Sequence, residues 1–183
     1  TAELGWQWAG DASRAEVTTF AEASENSVDW LRLTPDDTRF QAVNIESLRR
    51  YGLTVDWTLR LLRNLDVRLT GLTQTLQTDT DYHASRYLLD AVRHEVKAEG
   101  LWQFAPAWRL CVWQNLQRMA RNPLRGSSRN HRLMGCEVRW QPAAAGNPTL
   151  TVGVTNLLDD DFEPFVGQPE AERRVYASAG YRW

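Results

Sequence analysis

The stretch Val92-Arg93-His94-Glu95-Val96-Lys97-Ala98-Glu99-Gly100-Leu101-Trp102 decides how the rest of the chain is read. Arg93, Glu95, Lys97 and Glu99 occupy alternate positions, as do Val92, Val96, Ala98, Trp102 and, further on, Phe104. On a strand, where successive side chains point to opposite faces, this gives one charged face and one apolar face. The charged neighbours are then roughly 6.6 Å apart. A helix would scatter both sets around its circumference; Leu88, Val92 and Val96 do fit an i, i+4 stripe, so a helix is the competing reading.

The same period recurs along the chain. Leu4, Trp6 and Trp8 oppose Glu3, Gly5 and Gln7. Leu53, Val55, Trp57, Leu59 and Leu61 oppose Thr54, Asp56, Thr58 and Arg60. Met134, Cys136, Val138 and Trp140 form a third apolar set, Leu150, Val152 and Val154 a fourth, and Val175, Ala177, Ala179, Tyr181 and Trp183 a fifth. Weaker alternation runs through Arg14–Glu22, Val67–Gln77 and Trp108–Arg118; in Val67–Gln77, Leu72 and Leu76 break the phase and suggest a bulge or a misplaced strand boundary. About nine strands result, most near the ~9–11 residues that cross a tilted bilayer path.

Composition narrows the class. The chain has 183 residues, 43% hydrophobic and 24% charged, with a formal net charge of -2. This excludes wholesale disorder and gives no basic field for nucleic acid. Mean hydropathy is -0.50, and no stretch approaches the ~18 apolar residues of a spanning helix. A β-barrel escapes that test, because every second residue faces a polar lumen. No basic-then-apolar leader opens the chain at Thr1, so an export signal is expected to have been removed or to lie upstream.

The connections sort by length. Ala9–Ser13, Arg63–Leu65, Ala105–Ala107 and Pro142–Pro148 are short; Ser24–Thr38, Thr78–Leu88, Asn122–Asn130 and Asp159–Glu172 are long, and the two kinds alternate. That is the outer-membrane barrel pattern. Five of the nine tryptophans, Trp8, Trp102, Trp108, Trp140 and Trp183, lie near short-turn ends. Indole favours a membrane–water interface, so they read as an aromatic girdle rather than the filling of a sandwich core.

Chemical motifs are sparse. His83, His94 and His131 show no metal-ligand spacing, and no nucleophile elbow, P-loop or dinucleotide fingerprint occurs. No cofactor and no catalytic residue is expected. The alternation puts Cys111 on the polar face and Cys136 on the apolar one, so no bridge is expected between them. Asp159-Asp160-Asp161 reads as a solvated turn, lacking the spaced oxygens of a calcium site. The Arg93/Glu95/Lys97/Glu99 ladder reads as lumen lining that pairs with itself. In the long loops, Trp30, Tyr82, Tyr87 and Phe165 are candidates to pack on a ligand, and Arg125 and Arg129 to pair with an anionic one.

The C-terminal residues carry a family likeness. Val152-Gly153-Val154-Thr155-Asn156-Leu157-Leu158-Asp159-Asp160-Asp161-Phe162-Glu163-Pro164 resembles the V-x-N-L-F-D-x-x-Y-E segment near the end of TonB-dependent outer-membrane receptors. Gly167-Gln168-Pro169 followed by Arg174–Trp183 resembles their final strand. Val28-Asp29-Trp30, Asn44-Ile45 and Tyr51–Val55 resemble an upstream strand pair, and the cobalamin-receptor branch is the nearest likeness. The chain departs in ending on Trp183 rather than Phe and in Pro169-Glu170-Ala171-Glu172 replacing a Pro-Gly turn; no plug domain and no TonB-contacting box are recognised in it.

The resemblance implies an all-β, antiparallel up-and-down transmembrane barrel segment of about nine strands within a barrel of about 22. Residues 1–183 would be its C-terminal portion, with plug and earlier strands elsewhere. It further implies a bacterial outer-membrane location, with short turns in the periplasm and long loops outside the cell. The implied function is TonB-energised uptake of a scarce nutrient: an iron chelate or siderophore, haem or cobalamin. The implied partners are outer-membrane lipid, TonB through the plug, the small-molecule ligand, and the barrel-assembly machinery, which would read Tyr181 and Trp183. Two alternatives stay open: a small self-contained outer-membrane barrel with an enzymatic or lipid-binding role, and a soluble β-rich binding domain. The last predicts a second protein layer over the Leu53/Val55/Trp57 side.

Overall fold

The structure is a computed structural model and describes residues 1–143, 147–169 and 172–181. It forms one antiparallel sheet of ten strands: β1 (Ala2–Ala9), β2 (Ser13–Arg32), β3 (Gln41–Leu62), β4 (Leu65–Thr78), β5 (Ala84–Ser85), β6 (Val92–Ala105), β7 (Trp108–Met119), β8 (Asn130–Trp140), β9 (Thr149–Thr155) and β10 (Arg174–Gly180). Nine long strands pair with their sequence neighbours in the order β1-β2-β3-β4-β6-β7-β8-β9-β10, and the two-residue β5 pairs with the end of β2. β1 and β10 lie at opposite ends of this path and do not pair with each other. The deciding stretch is strand, not helix.

The register carries one apolar face across the whole sheet. Trp6 pairs with Val17, Val17 with Val55, Val55 with Gly71, Gly71 with Val96, and Val96 with Leu116. Paired residues of neighbouring strands share a face, so the separately inferred apolar sets become one continuous wall. Among the described residues no second layer covers it: Leu4 is 76% exposed, Trp6 58% and Val96 51%. A soluble monomer rarely leaves so broad an apolar surface in water. A soluble sandwich would need a layer that is absent among the described residues.

The other face is polar and pairs with itself. Arg50 meets Glu22 at 2.6 Å, Arg68 meets Asp56 at 2.5 Å, Arg60 meets Asp66 at 3.4 Å and Arg139 meets Glu137 at 3.0 Å. Within the ladder on β6 the ion pair is Lys97 with Glu95, at 3.2 Å; Glu95 also accepts from Asn115 and Gln117 of β7. Most pairing therefore runs across strands rather than along one.

Three aromatic rings on this polar face fill the space beside the glycine directly opposite. Phe20 covers Gly52, Trp113 covers Gly135 and Tyr176 covers Gly153. A side chain on the glycine would occupy the ring's place, which is why glycine is needed there. At Gly135 an added Cβ would meet Trp113 at 2.3 Å and the Val154 carbonyl at 2.8 Å. Gly135→Ala is therefore expected to cost about 1–3 kcal/mol, read by denaturant unfolding. Adding Trp113→Ala should recover only the part due to the ring.

Two expectations are corrected. The stretch Ser24–Thr38 is largely strand, since β2 runs to Arg32 and β3 begins at Gln41. The alternation reverses there: Leu48 belongs to the polar-face set of β3 and Ile45 to the opposite set, yet both join one buried cluster with Leu31 and Leu89. Asn26, opposite the step between them, has φ 55°, a left-handed conformation that asparagine tolerates. The expected bulge in Val67–Gln77 is absent. β4 pairs regularly with β3 there, and the register shift falls at Arg60/Leu62. Leu76 stands on the polar face because it packs against the buried cluster.

Candidate functional site

The long connections, 33–40, 79–91, 120–129 and 156–173, gather at one end of the sheet, and the short ones at the other. The chain's most buried side chains lie at the long-loop end, not in the middle of the sheet. Leu31, Ile45, Leu48 and Leu89 form an apolar cluster, with Val43, Leu76, Tyr82 and Leu88 packed against it.

Buried polar groups tie the loops together around that cluster. Asp29, 1% exposed, accepts from Ser85 Oγ at 2.5 Å and from the Leu89 N–H at 3.2 Å. Asn122 Nδ2 donates to the Ser85 carbonyl at 2.6 Å. Arg125 pairs with Asp90 at 2.6 Å, their side chains 2% and 0% exposed, and donates to the Glu163 carbonyl. Glu163 Oε2 accepts from the Gly126 N–H at 3.3 Å and the Gly167 N–H at 3.4 Å. Residues from β2, the 79–91 segment, the 120–129 loop and the 156–173 loop are thus latched into one cap. Burial pushes the Asp90 carboxyl above the ordinary carboxylate value, and the Arg125 guanidinium offsets this only in part. Burial likewise raises the Tyr82 phenol. In the 33–40 loop, Asp37 accepts from the Thr34 and Leu33 N–H groups, which holds its carboxyl below the usual range.

The sequence-derived candidates fall in different places. Tyr82 is half-buried on the apolar cluster. Tyr87, 41% exposed, meets Phe165 edge to face at 5.5 Å, and Arg86 stacks over the Tyr87 and Phe40 rings. Arg32 also lies over the Phe40 ring, at 5.1 Å. Trp30 is in β2, 47% exposed, in alternation with the buried Asp29 and Leu31 rather than beside them. Arg125 is held inside the cap by Asp90 and Glu163, out of reach of an external anion. Arg129 is partly exposed, with its carbonyl accepting from the Met119 N–H. The sequence reading did not single out Asp29, Ser85, Asp90, Asn122 or Glu163. Arg32, Phe40 and Arg86 likewise carry no sequence signal of a site; Arg86 lies over both the Phe40 and the Tyr87 ring, and Arg32 over Phe40.

At the opposite end the aromatic residues make a band. Trp102, Phe104, Trp108 and Trp140 follow one another with ring centroids 5.7, 6.3 and 6.5 Å apart. Trp8 and Trp57 both flank Ala15, and Trp57 Nε1 donates to Ser13 Oγ at 2.7 Å. Tyr181 is 63% exposed beyond β10. Trp183 lies outside the described residues. Cys111 and Cys136 are free and on opposite faces. Among the described residues no group of three or more His, Cys, Asp or Glu is placed to hold a metal ion.

No protein-family model and no curated protein sequence matches this chain. Solved structures do. The chain is similar to the copper transporter OprC, at 14% identity and a TM-score of 0.77 over 98% of this chain and 29% of that one. It is similar to the siderophore receptor PirA from Acinetobacter baumannii, at 14% identity and a TM-score of 0.68 over 98% of this chain and 31% of that one. It is also similar to the ferric enterobactin receptor PfeA from Pseudomonas aeruginosa, at 18% identity and a TM-score of 0.70 over 97% of this chain and 30% of that one. The chain thus spans less than a third of the length of each. Its fold is that of a segment of a TonB-dependent receptor barrel.

Proposed function

We propose that residues 1–183 are the C-terminal portion of a TonB-dependent outer-membrane receptor, completed by earlier strands and a plug to a barrel of about 22 strands. The observation that carries this reading is the single sheet with one uncovered apolar face and one self-paired polar face. Lipid would cover the first and a water-filled or plugged lumen the second. Lipid does not tolerate open edges on β1 and β10, so further strands must pair there. This disfavours a small self-contained barrel, which would close β1 on β10.

The receptor takes up a scarce nutrient without covalent chemistry. The structural relatives are a copper transporter, a siderophore receptor and a ferric enterobactin receptor by name, which favours a metal chelate; haem or cobalamin would use the same route. The exposed Tyr87 and Phe165, flanked by Arg86 and joined by Trp30, Tyr82 and Arg129, are the ligand-facing candidates of this segment. The latched cap holds them outside the cell. Trp8, Trp102, Trp108 and Trp140 form the periplasmic girdle, and Tyr181 and Trp183 form the end read by the assembly machinery. TonB acts through the plug.

The full-length gene product should fractionate with the outer membrane of a Gram-negative host and migrate as a heat-modifiable band. Residues 1–183 expressed alone should give no such band. A heat-modifiable band from the 183 residues alone would sink the segment reading. Disrupting the gene should slow growth on chelated iron or copper under starvation for that metal.

A further inference from the structure

One order of residue types repeats on the uncovered face of four strands. β3 runs Arg49, Tyr51, Leu53, Val55, Trp57; β6 runs His94, Val96, Ala98, Gly100, Trp102. β8 runs Arg132, Met134, Cys136, Val138, Trp140, and β7 runs from Arg118 through Leu116, Gln114, Val112 and Leu110 to Trp108. Each begins with a basic side chain at the long-loop end and finishes on tryptophan at the short-turn end. The two are eight positions apart on β3, β6 and β8, which is about 26 Å along a strand at ~3.3 Å per residue. Tilting by ~45° leaves roughly 20 Å of height, close to the ~25 Å apolar band of a membrane barrel. The basic residues therefore stand at the interface opposite the girdle.

On the polar face, Arg50, Arg60, Arg68 and Arg139 each meet a carboxylate, while Arg14, Arg93, Arg109 and Arg174 make no ion pair among the described residues. Among the described residues, Arg49, Arg118 and Arg132 are exposed and make no ion pair, and His94 bonds only to Thr73 Oγ1, at 2.9 Å. His94 pairs directly with Arg118, and Arg132 is diagonal to Arg118 across β7–β8. Diagonal neighbours are ~7–8 Å apart, so the Arg118 and Arg132 guanidinium groups repel one another unless an anion lies between them. Two carboxylates occupy neighbouring positions. Glu25 is diagonal to Arg49, and Asp160 accepts the Arg132 backbone N–H at 2.8 Å; neither pairs with these guanidinium groups.

We propose that Arg49, Arg118 and Arg132, with His94, form a strip that binds the phosphate groups of anionic lipid in the leaflet on the long-loop side. The strip rests on the membrane reading above, and it adds a preference for lipid of one charge on one side. Guanidinium forks match phosphate oxygens, and the apolar residues directly below them receive the acyl chains.

The test uses the full-length protein in phosphatidylcholine vesicles carrying spin-labelled phosphatidylcholine or spin-labelled phosphatidylglycerol. The motionally restricted fraction gives the relative association of each. Phosphatidylglycerol should associate about three- to tenfold more strongly. Arg118→Gln/Arg132→Gln should bring that ratio towards one, while Arg139→Gln, on the polar face, should leave it unchanged. Equal association of the two lipids, or a ratio indifferent to the double variant, overturns the strip and leaves the barrel segment standing. Absence of restricted lipid of either kind overturns the membrane reading and the strip with it.

Discussion

Arg125→Ala is expected to loosen the long-loop cap by about 3–5 kcal/mol, because it leaves Asp90 buried without its counter-charge. The pair is closed off from solvent, at 2% and 0% side-chain exposure, so solvent screening does not reduce the effect. The loss extends further than one contact. Arg125 also donates to the Glu163 carbonyl, and Glu163 holds the backbone at Gly126 and Gly167. Hydrogen exchange should therefore rise in residues 120–129 and 163–168 together, with little change in β6 and β7 below. Replacing both partners, Asp90→Leu with Arg125→Met, should restore most of the protection, since a buried pair exchanged for apolar groups of similar volume is often neutral. A single variant with unchanged exchange would show that the three loops are not latched.

The sheet was legible because its two faces obey one rule along most strands. A residue's parity alone places Val55, Val96, Val138 and Val152 on one wall. Parity failed where the wall ends. On the long-loop side of Asn26 and Leu48 the two longest strands leave the uncovered apolar wall and pack on a core of their own. Their alternation reverses, and Asp29 takes the inward position that an apolar residue would otherwise hold. Leu76 and Leu72 blurred the phase of β4 for a related reason, being apolar on the polar side. The latch itself left no local trace. Asp29, Ser85, Asp90 and Arg125 are spread over nearly a hundred positions, and serine, aspartate and asparagine in loops read first as turn formers. Arg125 reads in the sequence as a loop cation and not as a buried one, because burial here depends on loops brought together only by the fold.

The most direct trial of the two-faced wall exchanges neighbours on β6 without altering composition. Lys97 lies on the polar face with its ammonium 3.2 Å from Glu95, and Ala98 lies on the apolar face midway between His94 and Trp102. Lys97→Ala alone removes a half-exposed pair and should change stability by at most about 1 kcal/mol. Ala98→Lys alone places an ammonium near the middle of the apolar band. It should cost about 2–4 kcal/mol in a bilayer. The double exchange should cost nearly the same as Ala98→Lys, because the two positions face opposite media and share no partner. Unfolding of the full-length protein from phosphatidylcholine vesicles measures all three. Should that face meet water instead, Ala98→Lys would be an ordinary surface change, within about 0.5 kcal/mol. The sheet would then need a covering partner rather than a membrane.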